Sequence, residues 1–140
     1  GTLYLDGVKI GDAAQTVLYL GANYKLSDRL SADIDFQTYS NLHGRFSPLD
    51  SEFFSSNNRG SIELPSFSLV DIGATYKTTF LGYETIVRAN INNLFDEEYI
   101  SQSQTNIHND GGRAWNGIDV QNQVYFGKGT TWNLGATFRF

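Results

Sequence analysis

The sequence contains no cysteine and only two histidines, His43 and His108. The lack of cysteine excludes disulfides and cysteine-ligated metal sites, and two histidines do not favour a histidine-rich metal site. The chain also lacks methionine and starts at Gly1, so we expect a fragment or a processed chain. No signal peptide is visible. The net charge of −5 does not favour nucleic acid as a partner.

Long apolar runs are missing too, and none approaches the ~18 residues that a membrane helix needs. A membrane β-barrel is not excluded by this absence, because its strands are shorter and apolar on one face only. The sequence is rich in glycine, with 14 residues, and 14% of its residues are aromatic. This composition favours β-structure with many turns.

Five segments alternate between apolar and polar residues with the two-residue period of a β-strand. No segment carries a helical stripe, so the predicted fold is all-β, an antiparallel meander of about five long strands. A soluble sheet with one buried face would show the same alternation. The five segments are 17–26, 30–40, 67–78, 83–95 and 130–140. Charged residues lie on their polar faces: Lys25, Asp33, Asp35, Asp71, Lys77, Glu84, Arg88 and Arg139.

The connections between these segments alternate between short and long. Residues 27–29 and 79–82 form short connections, whereas 41–66 and 96–129 contain 26 and 34 residues. Loops longer than ~12–15 residues are uncommon in compact soluble domains. Tight turns at one end and large loops at the other are typical of outer-membrane barrels.

Aromatic residues occupy the two ends of the apolar face, and Ala, Leu, Ile and Val occupy the middle. This placement is typical of a bilayer barrel, with aromatic girdles at both interfaces. The pattern therefore predicts the C-terminal part of a transmembrane β-barrel, with lipid on the apolar face and an aqueous lumen on the other. Tyr24, Tyr76, Tyr83, Phe138 and Phe140 lie beside the short turns or the terminus, and Phe95 and Trp132 lie near the long loops.

One segment resembles a motif of a known family. The stretch "NINNLFDEEYI" (90–100) resembles the "NLFD-x-x-Y" stretch near the C-terminus of TonB-dependent outer-membrane receptors, especially those of Bacteroidetes type. The stretches "GDAAQTVLYLGANYKL" and "LPSFSLVDIGATYK" resemble strand entries of the same family, so the resemblance extends over essentially the whole chain. The matching motif residues are Asn93, Leu94, Phe95, Asp96 and Tyr99.

The resemblance implies a receptor of the bacterial outer membrane that imports a scarce nutrient: a metal chelate, vitamin, glycan or peptide. The family has a barrel of about 22 strands closed by a separate N-terminal plug. Residues 1–140 would be a single barrel fragment matching the last five strands. The plug domain and the segment that contacts the energy-coupling protein would lie upstream.

The resemblance also implies an assembly signal in the last strand. Phe140 resembles the C-terminal residue that the barrel-assembly machinery reads, with Phe138 and Trp132 in supporting positions. The implied partners are therefore outer-membrane lipid, the assembly machinery, the plug, the energy-coupling protein and the nutrient.

The long loop 96–129 holds the only candidate ligand contacts. His108, Arg113 and Trp115 can stack on a solute and hydrogen-bond to it. A glycine-rich loop that only orders the barrel rim is the alternative interpretation. Catalysis would need a nucleophile and an orienting group beside His108. The sequence indicates neither a nucleophile nor an orienting group, so we expect no enzyme activity and no cofactor.

A soluble β-sandwich that binds a ligand, such as a glycan, through loop aromatics is the alternative for the whole chain. It predicts Tyr76 and Phe138 in a central core. The barrel hypothesis predicts instead that, outside a membrane, the chain exposes strand edges and an apolar face, and therefore self-associates.

Overall fold

A computed structural model describes all 140 residues, Gly1–Phe140. Its largest sheet has five strands that neighbour one another in chain order, with the first and last strands at open edges. The prediction of an all-β chain with a five-stranded antiparallel meander is confirmed. No helix is long and apolar enough to cross a bilayer. The strands of this sheet are β1 (Thr16–Lys25), β2 (Leu30–Ser40), β5 (Phe67–Phe80), β6 (Tyr83–Asn92) and β11 (Thr131–Arg139).

The long connections, predicted as loops, contain short elements of their own. A 3₁₀-helix spans Ser51–Phe54, and six short strands form three pairs. The pairs are β3 (Leu42–His43) with β4 (Glu63–Leu64), β7 (Ile100–Ser103) with β10 (Val124–Phe126), and β8 (Ala114–Trp115) with β9 (Ile118–Asp119).

The chain divides into two compact units. One, here called the loop unit, consists of Gly1–Val17, Tyr39–Phe67 and Tyr99–Gly127. The other, the sheet unit, consists of Leu18–Thr38, Ser68–Glu98 and Lys128–Phe140. The loop unit is thus built from the N-terminal segment and the two long connections.

Strand register places the apolar side chains of the sheet unit on one face. Ala89 of β6 lies opposite Ala74 of β5 and opposite Leu134 of β11. Two residues along β6, Val87 lies opposite Tyr76 of β5. A slip of one residue would move every apolar side chain to the other face, so the alternation in the sequence and the register agree.

The buried apolar core lies in the loop unit alone. Phe53 is fully buried there, and Ala14, Phe67, Trp115 and Val124 pack against the core cluster. In the sheet unit, every residue of β11 is exposed, and no large apolar side chain is buried. The core cluster consists of Leu42, Ile62, Leu64, Ile100 and Ile118.

Candidate functional site

Large apolar side chains on the apolar face of the sheet unit are exposed. Leu20 of β1 is 59% exposed, Ile34 of β2 48% and Leu134 of β11 66%. Alanines occupy the middle of this face, where they line a shallow groove of about 470 Å³. These alanines are Ala22, Ala32, Ala74 and Ala89.

Aromatic rings border this face at the short-turn end. The rings of Phe80 and Phe138 are 6.5 Å apart, and Tyr83 meets Phe140 edge-on at 5.1 Å. At the other end, Trp132 is 76% exposed. The three residues of the predicted assembly signal, Trp132, Phe138 and Phe140, are therefore all exposed, and they lie at both ends of the last strand.

The soluble-sandwich alternative predicts that Tyr76 and Phe138 lie in a central core, and this prediction is wrong. Tyr76 is 43% exposed and Phe138 is 45% exposed, so neither lies in a central core. The apolar alternation of a sandwich strand and of a lipid-facing strand is the same. The exposure of the apolar side chains in the folded chain distinguishes the two kinds of strand, and the alternation in the sequence does not.

An ion pair crosses the polar face of the sheet unit. Arg88 of β6 donates two hydrogen bonds to Asp33 of β2, at 2.7 and 3.0 Å, and a third to Thr75 of β5 at 2.9 Å. The pair passes over Gly73 of β5, where a Cβ would stand only 2.6 Å from both partners. Gly73 therefore leaves space for a contact that spans three strands.

Further hydrogen bonds connect polar side chains on this face. Tyr19 donates to Asp35 over Gly21. Asn90 donates to Asn133 at 2.8 Å. Such a face, polar and internally paired, is suited to line an aqueous space rather than a packed core.

The residues of the "NLFD" motif form the turn that ends β6. Asn93 is 5% exposed and adopts a positive φ of 50°. Its side chain donates to the carbonyls of Glu97 and Lys128, at 3.0 and 3.1 Å, and accepts from the Glu97 N–H at 2.9 Å. Its backbone N–H donates to the Asp71 carboxylate at 2.8 Å. The motif is thus a structural junction, and its asparagine contributes through conformation and hydrogen bonding.

The other motif residues support the turn in different ways. Asp96, with a φ of 53°, accepts a 2.9 Å hydrogen bond from the N–H of Thr130, just before β11. Phe95 is 74% exposed. Tyr99 belongs to the loop unit, where its ring stacks on Phe67 at 4.0 Å. Leu94 donates its backbone N–H to Val70 at 2.8 Å.

The loop unit contains a polar cleft that the sequence analysis did not predict. It measures about 450 Å³ and is lined by two separate chain segments, 45–52 and 104–107. Arg45 is held in place by Asp12 at 2.7 Å and by Gln104 at 3.1 Å. No local sequence pattern indicated the cleft, because its two segments are brought together only by folding. Its chemistry, with amides, hydroxyls and carboxylates beside Phe46, suits a polar solute.

Charged residues next to this cleft are paired. Arg59 donates to Asp110 at 2.6 Å and lies 3.4 Å from Glu52. The hydrogen bond that Arg59 donates to the Asp110 carboxylate is the main cause of a raised Arg59 pKa. Glu52 also lines the cleft, and its carboxylate accepts from the backbone N–H of Arg59 at 3.1 Å.

The three predicted ligand contacts take different positions. His108 lies 3.0 Å from the Gly60 carbonyl and 3.8 Å from Glu52, close to the cleft. Trp115 packs against the core and meets Phe126 edge-on at 5.1 Å. Arg113 is exposed. None of the three lines the cleft.

No group of three or more histidine or carboxylate side chains is arranged to hold a metal ion. Comparisons with family models, with curated proteins and with solved structures gave no match.

Proposed function

We propose that this chain is the C-terminal barrel portion of a TonB-dependent outer-membrane receptor that imports a scarce nutrient. The observation that carries the proposal is the five-stranded sheet with an exposed apolar face, aromatic at both ends, and a paired polar face. Lipid covers the apolar face, and the polar face lines the barrel lumen. The "NLFD" resemblance supports the same assignment.

The remaining parts of the chain have roles consistent with this assignment. The loop unit consists largely of the two long connections between strands, and long connections are the outer loops in this class. Its polar cleft is the candidate ligand contact. In this proposal the plug and the energy-coupling protein act through regions outside residues 1–140.

Substitution on the apolar face tests the membrane assignment. Leu134→Arg places a charge in the middle of β11, where lipid contact costs roughly 2–4 kcal/mol. At a solvent-exposed position of a soluble sheet the change would be within about 0.5 kcal/mol. We expect the variant to reduce the heat-modifiable, folded protein in the outer-membrane fraction.

Thr137→Arg is the matched control, because it adds the same charge to the polar face of the same strand, at an exposed position opposite the uncharged Ile86. It should leave the folded fraction nearly unchanged. Recovery of the wild-type protein in the soluble periplasmic fraction, or equal loss in both variants, would contradict the proposal.

Assembly is the second part of the proposal: the machinery recognises Trp132, Phe138 and Phe140. Phe140→Ala should lower the amount of folded protein in the outer membrane. Phe80→Ala removes another exposed ring at the same end of the sheet and serves as control. Unchanged folded levels in the Phe140 variant would refute the signal while leaving the barrel assignment intact.

A further inference from the structure

Two adjacent cations in the sheet unit have no counter-charge. Arg29 and Lys77 make neither an ion pair nor a side-chain hydrogen bond, whereas Arg88 and Arg139 each pair with a carboxylate. The backbone N–H of Lys77 donates to the carbonyl of Arg29 at 2.7 Å, which keeps the two residues side by side. Like charges that line one depression repel each other, and an anion between them would relieve the repulsion.

Both cations line a depression of about 170 Å³ beside the turn at 27–29. Lys25 contributes a third positive charge, and the single carboxylate, that of Asp28, is already paired with Lys25 at 2.9 Å. The depression is therefore net positive. Arg29 and Lys77 also border a second depression whose carboxylate, that of Glu84, lies 3.5 Å from Arg139.

Hydroxyl groups complete the first depression. The Ser27 hydroxyl accepts from the backbone N–H groups of Arg29 and Leu30, at 3.3 and 3.1 Å. The Thr75 hydroxyl accepts from Arg88 at 2.9 Å. Since both oxygens already accept, each O–H proton remains free to donate to an incoming oxyanion.

We propose that this depression, the phosphate notch, binds a phosphoryl group. Arg and Lys recognise phosphate oxygens through charge-assisted hydrogen bonds, and hydroxyl donors add to them. The group comes from free phosphate or from a phospholipid headgroup. The headgroup source rests on the proposed function: Tyr24 and Tyr76 lie on the apolar face directly before Lys25 and Lys77, and such aromatics mark the headgroup level. The cations themselves lie on the polar face, beside the turn at 27–29.

Calorimetric titration of the purified protein in a non-ionic detergent tests the notch. One arm uses inorganic phosphate, and the other uses short-chain phosphatidylglycerol, with short-chain phosphatidylcholine as the zwitterionic comparison. Each binding reaction should weaken roughly tenfold or more in the double variant Arg29→Gln/Lys77→Gln. Lys9→Gln/Lys128→Gln removes the same charge from exposed positions elsewhere and should bind as the wild type does.

The outcomes are distinct. Binding of inorganic phosphate alone identifies a free solute as the ligand. Binding of phosphatidylglycerol alone identifies a lipid headgroup. Either result supports the notch if the Arg29/Lys77 variant loses the binding and the control variant keeps it. Absence of binding in both arms, or equal loss in the control variant, overturns the notch. If this happens while the protein remains in the outer membrane, the proposed function still stands. A protein in the soluble fraction overturns the proposed function, and the inorganic-phosphate arm still tests the notch.

Discussion

At the residue scale, Asn93 shows why one side chain type suits the end of β6. A positive φ is unfavourable for most residues, and asparagine tolerates it well. The same side chain bonds two carbonyls and one N–H of the residues that follow the turn and precede β11, Glu97 and Lys128. Conformation and hydrogen bonding therefore favour the same residue at this position.

Replacing Asn93 by alanine should lower the free energy of unfolding by about 2–4 kcal/mol. The variant loses three side-chain hydrogen bonds, and alanine tolerates the positive φ less well than asparagine does. Asn92→Ala is the control, since Asn92 is exposed and its side chain makes one long hydrogen bond of 3.3 Å to Thr131. Denaturant titration of both variants measures the difference, and equal midpoints would show that the turn does not depend on Asn93.

Trp115 packs against the core of the loop unit, so it contributes to stability. Trp115→Ala should destabilise the loop unit by about 2 kcal/mol, because a half-buried indole leaves the core. Arg113→Ala, two residues away and exposed, should change stability by less than about 0.5 kcal/mol. Hydrogen exchange of β9 and β10 reports the effect locally. Unchanged exchange in the Trp115 variant would show that the core does not depend on this side chain.

At the element scale, glycines within strands leave space for polar side chains to meet across the sheet. β5 lies between β2 and β6, yet Arg88 of β6 reaches Asp33 of β2 because Gly73 has no side chain. Gly21 of β1 leaves comparable space beside Tyr19 and Asp35. Glycine normally weakens a strand, and here the cross-strand contacts offset that cost.

Gly73→Ala should therefore destabilise the sheet by about 1–2 kcal/mol, because the new methyl group displaces the Arg88–Asp33 pair. Gly135→Ala is matched, since it lies on the same face of β11 with no atom within 4 Å of the added Cβ. That variant should be neutral or slightly stabilising. Urea titrations in detergent compare the two, and a neutral Gly73 variant would show that the ion pair moves aside without cost.

At the scale of the whole molecule, the sheet has two open edges and an uncovered apolar face. β1 and β11 each have a partner on one side only, so their outer backbone groups are templates for another strand. Burial of apolar surface contributes about 25 cal/mol per Å². Both features favour association wherever lipid is absent.

We expect the 140-residue chain to form dimers or larger species in detergent-free buffer. Detergent above its critical micelle concentration should reverse the association, because micelles cover the apolar face. Light scattering at increasing protein concentration measures both states. A stable monomer without detergent would mean that the chain covers its own apolar face, and it would favour the soluble β-sandwich hypothesis instead.

The sequence by itself determined the five long strands and their two faces. The predicted segment 30–40 coincides with β2, and the others differ from the observed strands by a few residues at their ends. The largest difference is at 83–95, where β6 ends at Asn92 because Asn93 adopts a turn conformation. Period-two alternation is a local property, so it can be read from neighbouring residues.

Only the tertiary structure decided what the long connections do. Their core joins Leu42, Ile62 and Leu64 with Ile100 and Ile118, and the cleft joins segment 45–52 with segment 104–107. The ion pair of Arg88 with Asp33 over Gly73 also depends on the tertiary structure, because its partners are 55 residues apart in the chain. Such contacts have no period in the sequence, because they depend on which distant segments meet when the chain folds.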